Sequence, residues 1–183
     1  MDTKQLNAIV ANFRTEGTIT NTGPFGNGHI NDTYRVETAG EDTPDYILQR
    51  INHAIFQDVD LLQNNIEAVT NHIRGKLLQK GETDIDRKVL RLIPADDGKM
   101  YHFDGDNYWR MMLLIPDSVS YEAITPEYAR YAGLAFGEFQ SMLSDIPVEL
   151  GETVPDFHNM EFRLWQLREA VKADAAGRVA EVI

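Results

Sequence analysis

The segment Gly23–Tyr34, which reads Gly-Pro-Phe-Gly-Asn-Gly-His-Ile-Asn-Asp-Thr-Tyr, restricts the possible folds more than any other part of the chain. It lies between two runs with the composition and alternation of β-strands, Thr18–Thr22 and Thr33–Thr38. Glycine permits the sharp chain reversal that such a connection requires. The segment therefore predicts a glycine-rich β-hairpin.

The glycines of this segment have the spacing of a phosphate-binding loop. Gly26, Gly28 and Asn31 follow G-x-G-x-x-(G), and asparagine is the residue that best tolerates a positive φ after glycine. With Asn27 they form a concave run of backbone N–H groups suited to nucleotide phosphates. The same spacing marks dinucleotide-binding folds, but there a helix follows the turn, whereas here a strand follows. An ordinary glycine hairpin is the remaining alternative.

A third strand candidate, Asp45–Asn52, places Tyr46, Leu48 and Arg50 on one face by the period-two rule. In the small lobe of kinase-like folds, this strand carries a cation that pairs with the nucleotide phosphates, and apolar neighbours contact the base. We therefore predict that Arg50 binds phosphate and that Leu48 lies at the base. A surface arginine at a strand end is the alternative for Arg50.

An amphipathic helix follows the third strand. Glu67 lies in its middle and is predicted either to hold the strand cation in an ion pair or to remain a solvated acid. Gly81 ends the helix. Its apolar residues recur at intervals of three or four and form one stripe, namely Val59, Leu62, Ile66, Val69, Ile73 and Leu77.

Three further strands are predicted. Arg87–Ile93 and Lys99–Phe103 are joined by the turn Pro94–Gly98. Tyr108–Ile115 is a nearly continuous apolar strand that ends at Pro116.

An apolar strand followed by proline and a helix is also typical of the hinge between kinase lobes. In such a hinge, the backbone N–H and C=O groups of Met112, Leu113 and Leu114, as far as Ile115, would meet the adenine edge. A buried core strand is expected in either case.

A helical portion is predicted after the strands. Thr125 caps a helix that begins at Pro126, and a second helix extends from Asn159 to a stop at Gly177. The apolar stripe of the first helix, predicted to be core, comprises Tyr128, Tyr131, Ala132, Ala135, Phe139 and Met142.

The order of elements indicates an α+β fold. Residues 1–116 are predicted to form a protein-kinase-like small lobe, with an antiparallel sheet of about five strands flanked by the Val59–Leu77 helix. Residues 117–183 are predicted to begin a helical large lobe that is incomplete in these 183 residues.

Four segments of the chain match motifs of a known superfamily: Gly28-His-Ile-Asn-Asp-Thr-Tyr34, Tyr46-Ile-Leu-Gln-Arg-Ile-Asn52, Ile115-Pro-Asp-Ser118 and Val154-Pro-Asp-Phe-His-Asn159. They resemble the aminoglycoside phosphotransferase/choline kinase superfamily, and within it the N-acetylhexosamine 1-kinases. The resemblance runs from about Thr18 to Ile183. It implies ATP- and magnesium-dependent phosphorylation of a sugar hydroxyl, with an N-acetylhexosamine or a similar sugar as the acceptor.

The hairpin also supplies candidates for contact with that sugar. His29 is predicted to touch the acceptor sugar or a phosphate, because the hairpin tip would overhang the cleft, and Asp32 is a second candidate for contact with the sugar. A solvated loop histidine is the alternative for His29.

The chain departs from the superfamily at the catalytic loop. Members carry an H-x-D-x-x-x-x-N loop and a later aspartate that holds magnesium, and the run His158-Asn-Met-Glu161 lacks the required Asp and Asn. No catalytic residue and no metal ligand is therefore assigned in this chain. The resemblance implies the ATP-binding half of a kinase, with the other lobe or a second copy of the chain as its partner. The alternative is a nucleotide- or partner-binding module without chemistry.

Composition narrows the partners further. The net charge of −12 argues against binding to nucleic acid, whose phosphates attract basic surfaces. The 183 residues include no cysteine and no apolar run of membrane-spanning length. The start, Met1-Asp-Thr-Lys-Gln, lacks the pattern of a secretory signal. We therefore expect a cytoplasmic protein that binds neither nucleic acid nor a membrane, and the resemblance implies that its partners are a nucleotide and a sugar.

Overall fold

The computed structural model describes residues 1–26, 28–40, 42–119, 121 and 123–181. The chain divides into two compact units, Met1–Gly151 and Glu152–Ile183. The predicted boundary after residue 116 rests on the change from strands to helices and stays a prediction.

Six strands of the first unit form one antiparallel sheet, which confirms the predicted α+β class and strand direction. The strands lie in the order β1-β2-β3-β6-β4, and β5 pairs with β6. Their bounds are β1 Thr18–Pro24, β2 Asp32–Ala39, β3 Tyr46–Ile51, β4 Leu92–Ile93, β5 His102–Phe103 and β6 Tyr108–Leu113.

Five α-helices and one short 3-10 helix complete the described elements. They are α1 Thr3–Val10, α2 Val59–Gln79, α3 Ile85–Lys88, α4 Pro126–Leu143, α5 Met160–Ala173 and the 3-10 helix Val179–Glu181.

Side-chain caps set where the long helices begin. Asp58 accepts the N–H of Leu61 at the start of α2, and Thr125 accepts the N–H of Tyr128 at the start of α4. Gly81, with φ of 74°, follows α2 and confirms the predicted stop.

Helix α1 covers one face of the sheet. Its buried residues Leu6, Ile9 and Val10 pack in one cluster with Leu48 of β3 and Trp109 of β6. Leu48 and Trp109 have no exposed surface, so this cluster is the main core of the unit.

Helix α2 belongs to the opposite face. Val59 and Leu62 form a second cluster with Ile51 of β3, against which Tyr108 of β6 packs. Tyr108 directly precedes Trp109, and successive strand residues point to opposite faces of a sheet. The sheet therefore separates a core beneath α1 from a core beneath α2.

Polar contacts attach the end of α4 to α2. His72 Nε2 and Lys76 Nζ lie 3.0 and 2.7 Å from the Met142 carbonyl oxygen, and Lys76 also pairs with Asp145. A cation at free carbonyl groups is favourable at a helix C-terminus. The hydrogen bond from Lys76 and its charge hold the pKa of Asp145 below its usual range.

The two strands predicted before β6 are largely wrong. Within the two predicted segments, only Leu92–Ile93 and His102–Phe103 form strands, and each pairs with β6. The start of the first strand is instead the helical turn α3, because the Val89 N–H bonds to the Ile85 carbonyl oxygen. Asp86 in this turn pairs with Arg74 of α2, a contact that a local strand pattern does not reveal.

Helix α4 exposes the stripe that the sequence assigned to a core. No residue between Pro126 and Leu143 is buried. Among the residues of that stripe, the exposed fraction is 48% for Tyr131, 42% for Phe139 and 37% for Tyr128.

The second unit contains α5, which Asn159 caps by accepting the Phe162 N–H. This confirms the predicted start. The helix ends at Ala173 rather than at Gly177, because Asp174 adopts a left-handed conformation with φ of 37°.

Within the residues that the structure describes, no helix combines the length and the apolar character needed to cross a membrane.

Asp104 organises the turn between β5 and β6. Its Oδ1 accepts the N–H groups of Asp106 and Asn107 at 2.9 and 2.8 Å, and its Oδ2 accepts the Nε1–H of Trp109 at 2.6 Å. Burial raises the pKa of Asp104, but these hydrogen bonds outweigh it and hold the pKa below its usual range.

We expect Asp104→Asn to lower the free energy of unfolding by about 1 kcal/mol at neutral pH, since the carboxylate is exposed to water on one side. A lowered folded-state pKa contributes stability above the unfolded pKa of about 4, and this is lost as the pH falls through the folded-state pKa. Urea unfolding of the two proteins should therefore converge in acid. Asp106→Asn is the matched control, and an equal loss there would contradict the assignment.

Candidate functional site

The predicted hairpin connects β1 and β2. The Phe25 N–H donates to the Thr33 carbonyl oxygen at 2.9 Å and closes the strand ends. Gly26 follows with φ of 77°, a left-handed conformation that favours glycine. Asn27, a predicted donor at this turn, lies outside the described residues.

A shallow cavity of about 220 Å³ opens on the hairpin. Ordinary small-molecule sites enclose about 300–1,000 Å³, so this space fits only part of a nucleotide-sized ligand, such as a phosphate group. It is lined by Pro24, Phe25, Gly26, Gly28, Asn31, Asp32, Thr33 and Tyr34.

Asn31 contributes its side chain rather than an unusual backbone conformation. It is absent from the described residues with positive φ, so the expectation of a left-handed asparagine is wrong. Its Oδ1 accepts the Asn52 N–H at 3.0 Å. This bond attaches the hairpin to the end of β3.

Arg50 reaches the hairpin through the register of the sheet. It pairs directly with Asp32, the first residue of β2, and its guanidinium forms an ion pair with the Asp32 carboxylate. The two side chains are 41% and 48% exposed. Exposed pairs of this kind contribute about 0–1 kcal/mol, so an incoming anion can replace Asp32 at little cost.

Two other predicted residues are not brought to Arg50. Glu67 is partly buried on α2 and forms no ion pair with any described cation. His29 is exposed on the hairpin. The described residues therefore do not form the predicted ion pair between Glu67 and Arg50, which pairs with Asp32 instead, and a contact between His29 and substrate stays a prediction.

Leu48 lies in the core under α1. Tyr34 and Met111 flank it on the neighbouring strands, and none of its surface is exposed. Its contact with a base stays a prediction.

The predicted hinge has few free N–H groups. Leu113 donates its N–H to the Arg91 carbonyl oxygen, and Leu114 donates to the Asp45 carbonyl oxygen, both at 2.9 Å. Met112 is buried within β6. Ile115, just after the strand, makes no backbone hydrogen bond within the described part of the chain, so its N–H is the free donor of this segment.

Carboxylates neutralise Arg35, the cation of β2. Arg35 Nη2 lies 2.6 Å from Asp45 Oδ2, and this hydrogen bond raises the arginine pKa. Burial raises the pKa of Asp45. The hydrogen bonds from Arg35 and the Thr38 N–H lower it by more than burial raises it, so the pKa lies below its usual range. Arg35 is therefore committed to the fold, whereas Arg50 contacts Asp32, a residue that lines the hairpin cavity.

Sequence reasoning overlooked Arg110 of β6, although a visible signal was present. It is a lone charge within the apolar run Tyr108–Ile115. Its guanidinium binds the side-chain oxygen of Gln49 on β3.

No group of three or more His, Cys, Asp or Glu side chains suited to a metal ion occurs among the described residues. No protein-family model matches the chain.

Proposed function

We propose that this chain is the ATP-binding half of a sugar kinase-like phosphotransferase of the aminoglycoside phosphotransferase/choline kinase superfamily. Its acceptor in the complete protein would be a hydroxyl group of an N-acetylhexosamine or a similar sugar. The observation that carries the proposal is the juxtaposition of the hairpin cavity with Arg50. Gly26, Gly28 and Asp32 line the cavity, and Asp32 pairs with Arg50, so an exchangeable cation lies beside a glycine-rich backbone, a combination suited to a phosphate group.

The order of elements supports the kinase-like part of the proposal. A glycine-rich hairpin, a strand with a terminal cation, a long helix and a strand that leads to a proline succeed one another in the first unit. Kinase small lobes place the same parts in the same order around the nucleotide. This likeness of order is an analogy of fold, so the hairpin geometry remains the main support.

The chain's own residues would act by binding and positioning. The N–H groups of Gly26 and Gly28 and the guanidinium of Arg50 would hold the nucleotide phosphates. The Ile115 N–H would contact the adenine edge. Magnesium would neutralise phosphate charge when bound, but the described residues do not offer a cluster to hold it.

A non-catalytic partner-binding module is the second candidate. The exposed apolar side chains of α4 favour it, because surface patches of large apolar residues often mark contacts with other protein. The same exposure is consistent with a helix that begins a larger lobe. The two candidates share the hairpin site and differ in whether phosphate is transferred.

The proposal predicts that ATP changes the backbone amide signals of the hairpin. In a titration followed by NMR on nitrogen-labelled protein, Gly26, Gly28 and Asn31 should shift with ATP, whereas residues 160–173 should not. Adenosine is the matched control, since it lacks phosphates and should move the hairpin signals much less. Equal shifts with both ligands, or a silent hairpin, would contradict a phosphate site there.

A further inference from the structure

Arg110 is a partly buried arginine that contacts no carboxylate of the described residues. Burial lowers its pKa, because the charged guanidinium loses contact with water. The other arginines without a carboxylate contact in the described ranges are all exposed, namely Arg14, Arg87, Arg130, Arg163 and Arg168.

A hydrogen-bonded row holds Arg110 in place. Thr33, Gln49 and Arg110 are in register on β2, β3 and β6. Gln49 Nε2 donates to Thr33 Oγ1 at 3.0 Å, and Gln49 Oε1 accepts from Arg110 Nε and Nη2 at 3.0 and 2.8 Å. Both ends of the glutamine amide are occupied, which fixes its orientation and that of the guanidinium.

The row leaves donors free. Gln49 accepts from only two nitrogen atoms of Arg110, and the remaining N–H groups have no partner among the described residues. Thr33 Oγ1 accepts from Gln49, so its O–H is available to donate. A partly buried cation that faces only neutral groups is costly, and an anion would offset that cost.

This row lies on the face of the sheet opposite to Arg50. Arg110 follows Trp109 in β6, and Trp109 belongs to the core under α1. Arg50 pairs in register with Trp109 and shares its face. Arg110 therefore faces the side that carries α2, and the hairpin pair cannot supply its missing anion.

We propose that Arg110, supported by Gln49 and Thr33, forms a second anion site that binds a phosphate group on the α2-bearing face of the sheet. The planar guanidinium can donate in parallel to two phosphate oxygens. The Thr33 hydroxyl supplies a neutral donor beside it. Thr33 also lines the hairpin cavity, but the cation of this site lies on the face opposite to Arg50, so the proposal does not rest on the function proposed for the hairpin.

The test is thermal unfolding in increasing inorganic phosphate, with chloride added to keep the ionic strength constant. An anion that binds only the folded chain raises the Tm until the site is saturated. Because the hairpin site also takes phosphate, the comparison is made in Arg50→Ala: the Tm of Arg50→Ala and of Arg50→Ala with Arg87→Met should rise, whereas Arg50→Ala with Arg110→Met should lose the rise with at least a tenfold loss of phosphate affinity. Arg87 is the matched control because it contacts no carboxylate but is exposed.

A second measurement covers the case in which Arg110→Met does not fold. The Nε–H signal of Arg110 in the unaltered chain, assigned with Arg110→Lys, should shift on titration with phosphate. ATP added to Arg50→Ala distinguishes the source: a shift identifies nucleotide phosphate, and no shift identifies free phosphate. An unchanged Nε–H signal in phosphate, or a Tm rise that Arg110→Met retains in the Arg50→Ala background, would overturn the proposal. Failure of ATP to bind the hairpin would leave both phosphate results intact.

Discussion

Replacing Leu48 with alanine is expected to lower the free energy of unfolding by about 2–5 kcal/mol. Leu48 is fully buried at the centre of the core beneath α1, flanked by Tyr34 and Met111. Loss of the side chain removes apolar burial and leaves a cavity that a strand between two paired neighbours cannot close.

Urea unfolding measures this effect, with Leu78→Ala as the matched control. Leu78 is 59% exposed near the end of α2, so its replacement should change stability by no more than about 0.5 kcal/mol. A similarly small effect of Leu48→Ala would place the Leu48 side chain outside the core. That result would favour the predicted contact between Leu48 and the nucleotide base.

Replacing Arg50 with alanine is expected to weaken ATP binding roughly tenfold or more, because a charge-assisted hydrogen bond contributes on the order of 1.5–3 kcal/mol. The fold should tolerate the change, since the Arg50–Asp32 pair is exposed and contributes little to stability.

Calorimetric titration with ATP compares this variant with Arg74→Ala. Arg74 also pairs with an aspartate, Asp86, but lies on α2 rather than at the hairpin. Both variants remove one positive charge, so their comparison separates a local contact from the general effect of a more negative protein. Equal ATP affinity in the two variants would remove Arg50 from the site.

The elements that the sequence predicted well are those with a strong local signal. The stripe of α2 repeats over many turns, and Asp58 and Gly81 bound it at the two ends. The glycine-rich hairpin is also local, because its turn and both its strands lie within one short segment.

Elements that depend on distant contacts were predicted poorly. Strand β4 extends only over Leu92–Ile93, because its pairing depends on β6 and because Asp86 holds the preceding residues in a turn near α2. Asn31 is another example. Its partner is the backbone of Asn52, which no spacing rule for glycine-rich loops would indicate.

The candidate site also combines features with a local sequence signal and features that depend on distant contacts. The hairpin cavity and the cation Arg50 follow from neighbouring motifs, and the sheet register brings them together. The Arg110 site could be recognised only in three dimensions, because its distinguishing property is partial burial without a carboxylate contact in the described structure. A charge within an apolar strand was the only sequence signal for it.

The affinity of Asp32→Asn for ATP tests the central claim most directly. If the phosphates take the place of the Asp32 carboxylate at Arg50, neutralising Asp32 removes a competitor and should tighten ATP binding by up to about fivefold. Asp86→Asn, which frees Arg74 on α2, should leave the affinity unchanged. The two halves of the hairpin ion pair are thus predicted to act in opposite directions, with Arg50→Ala weakening ATP binding and Asp32→Asn strengthening it. Weaker binding in both variants would contradict the account, because it would show that the pair supports the fold and that its cation does not receive phosphate.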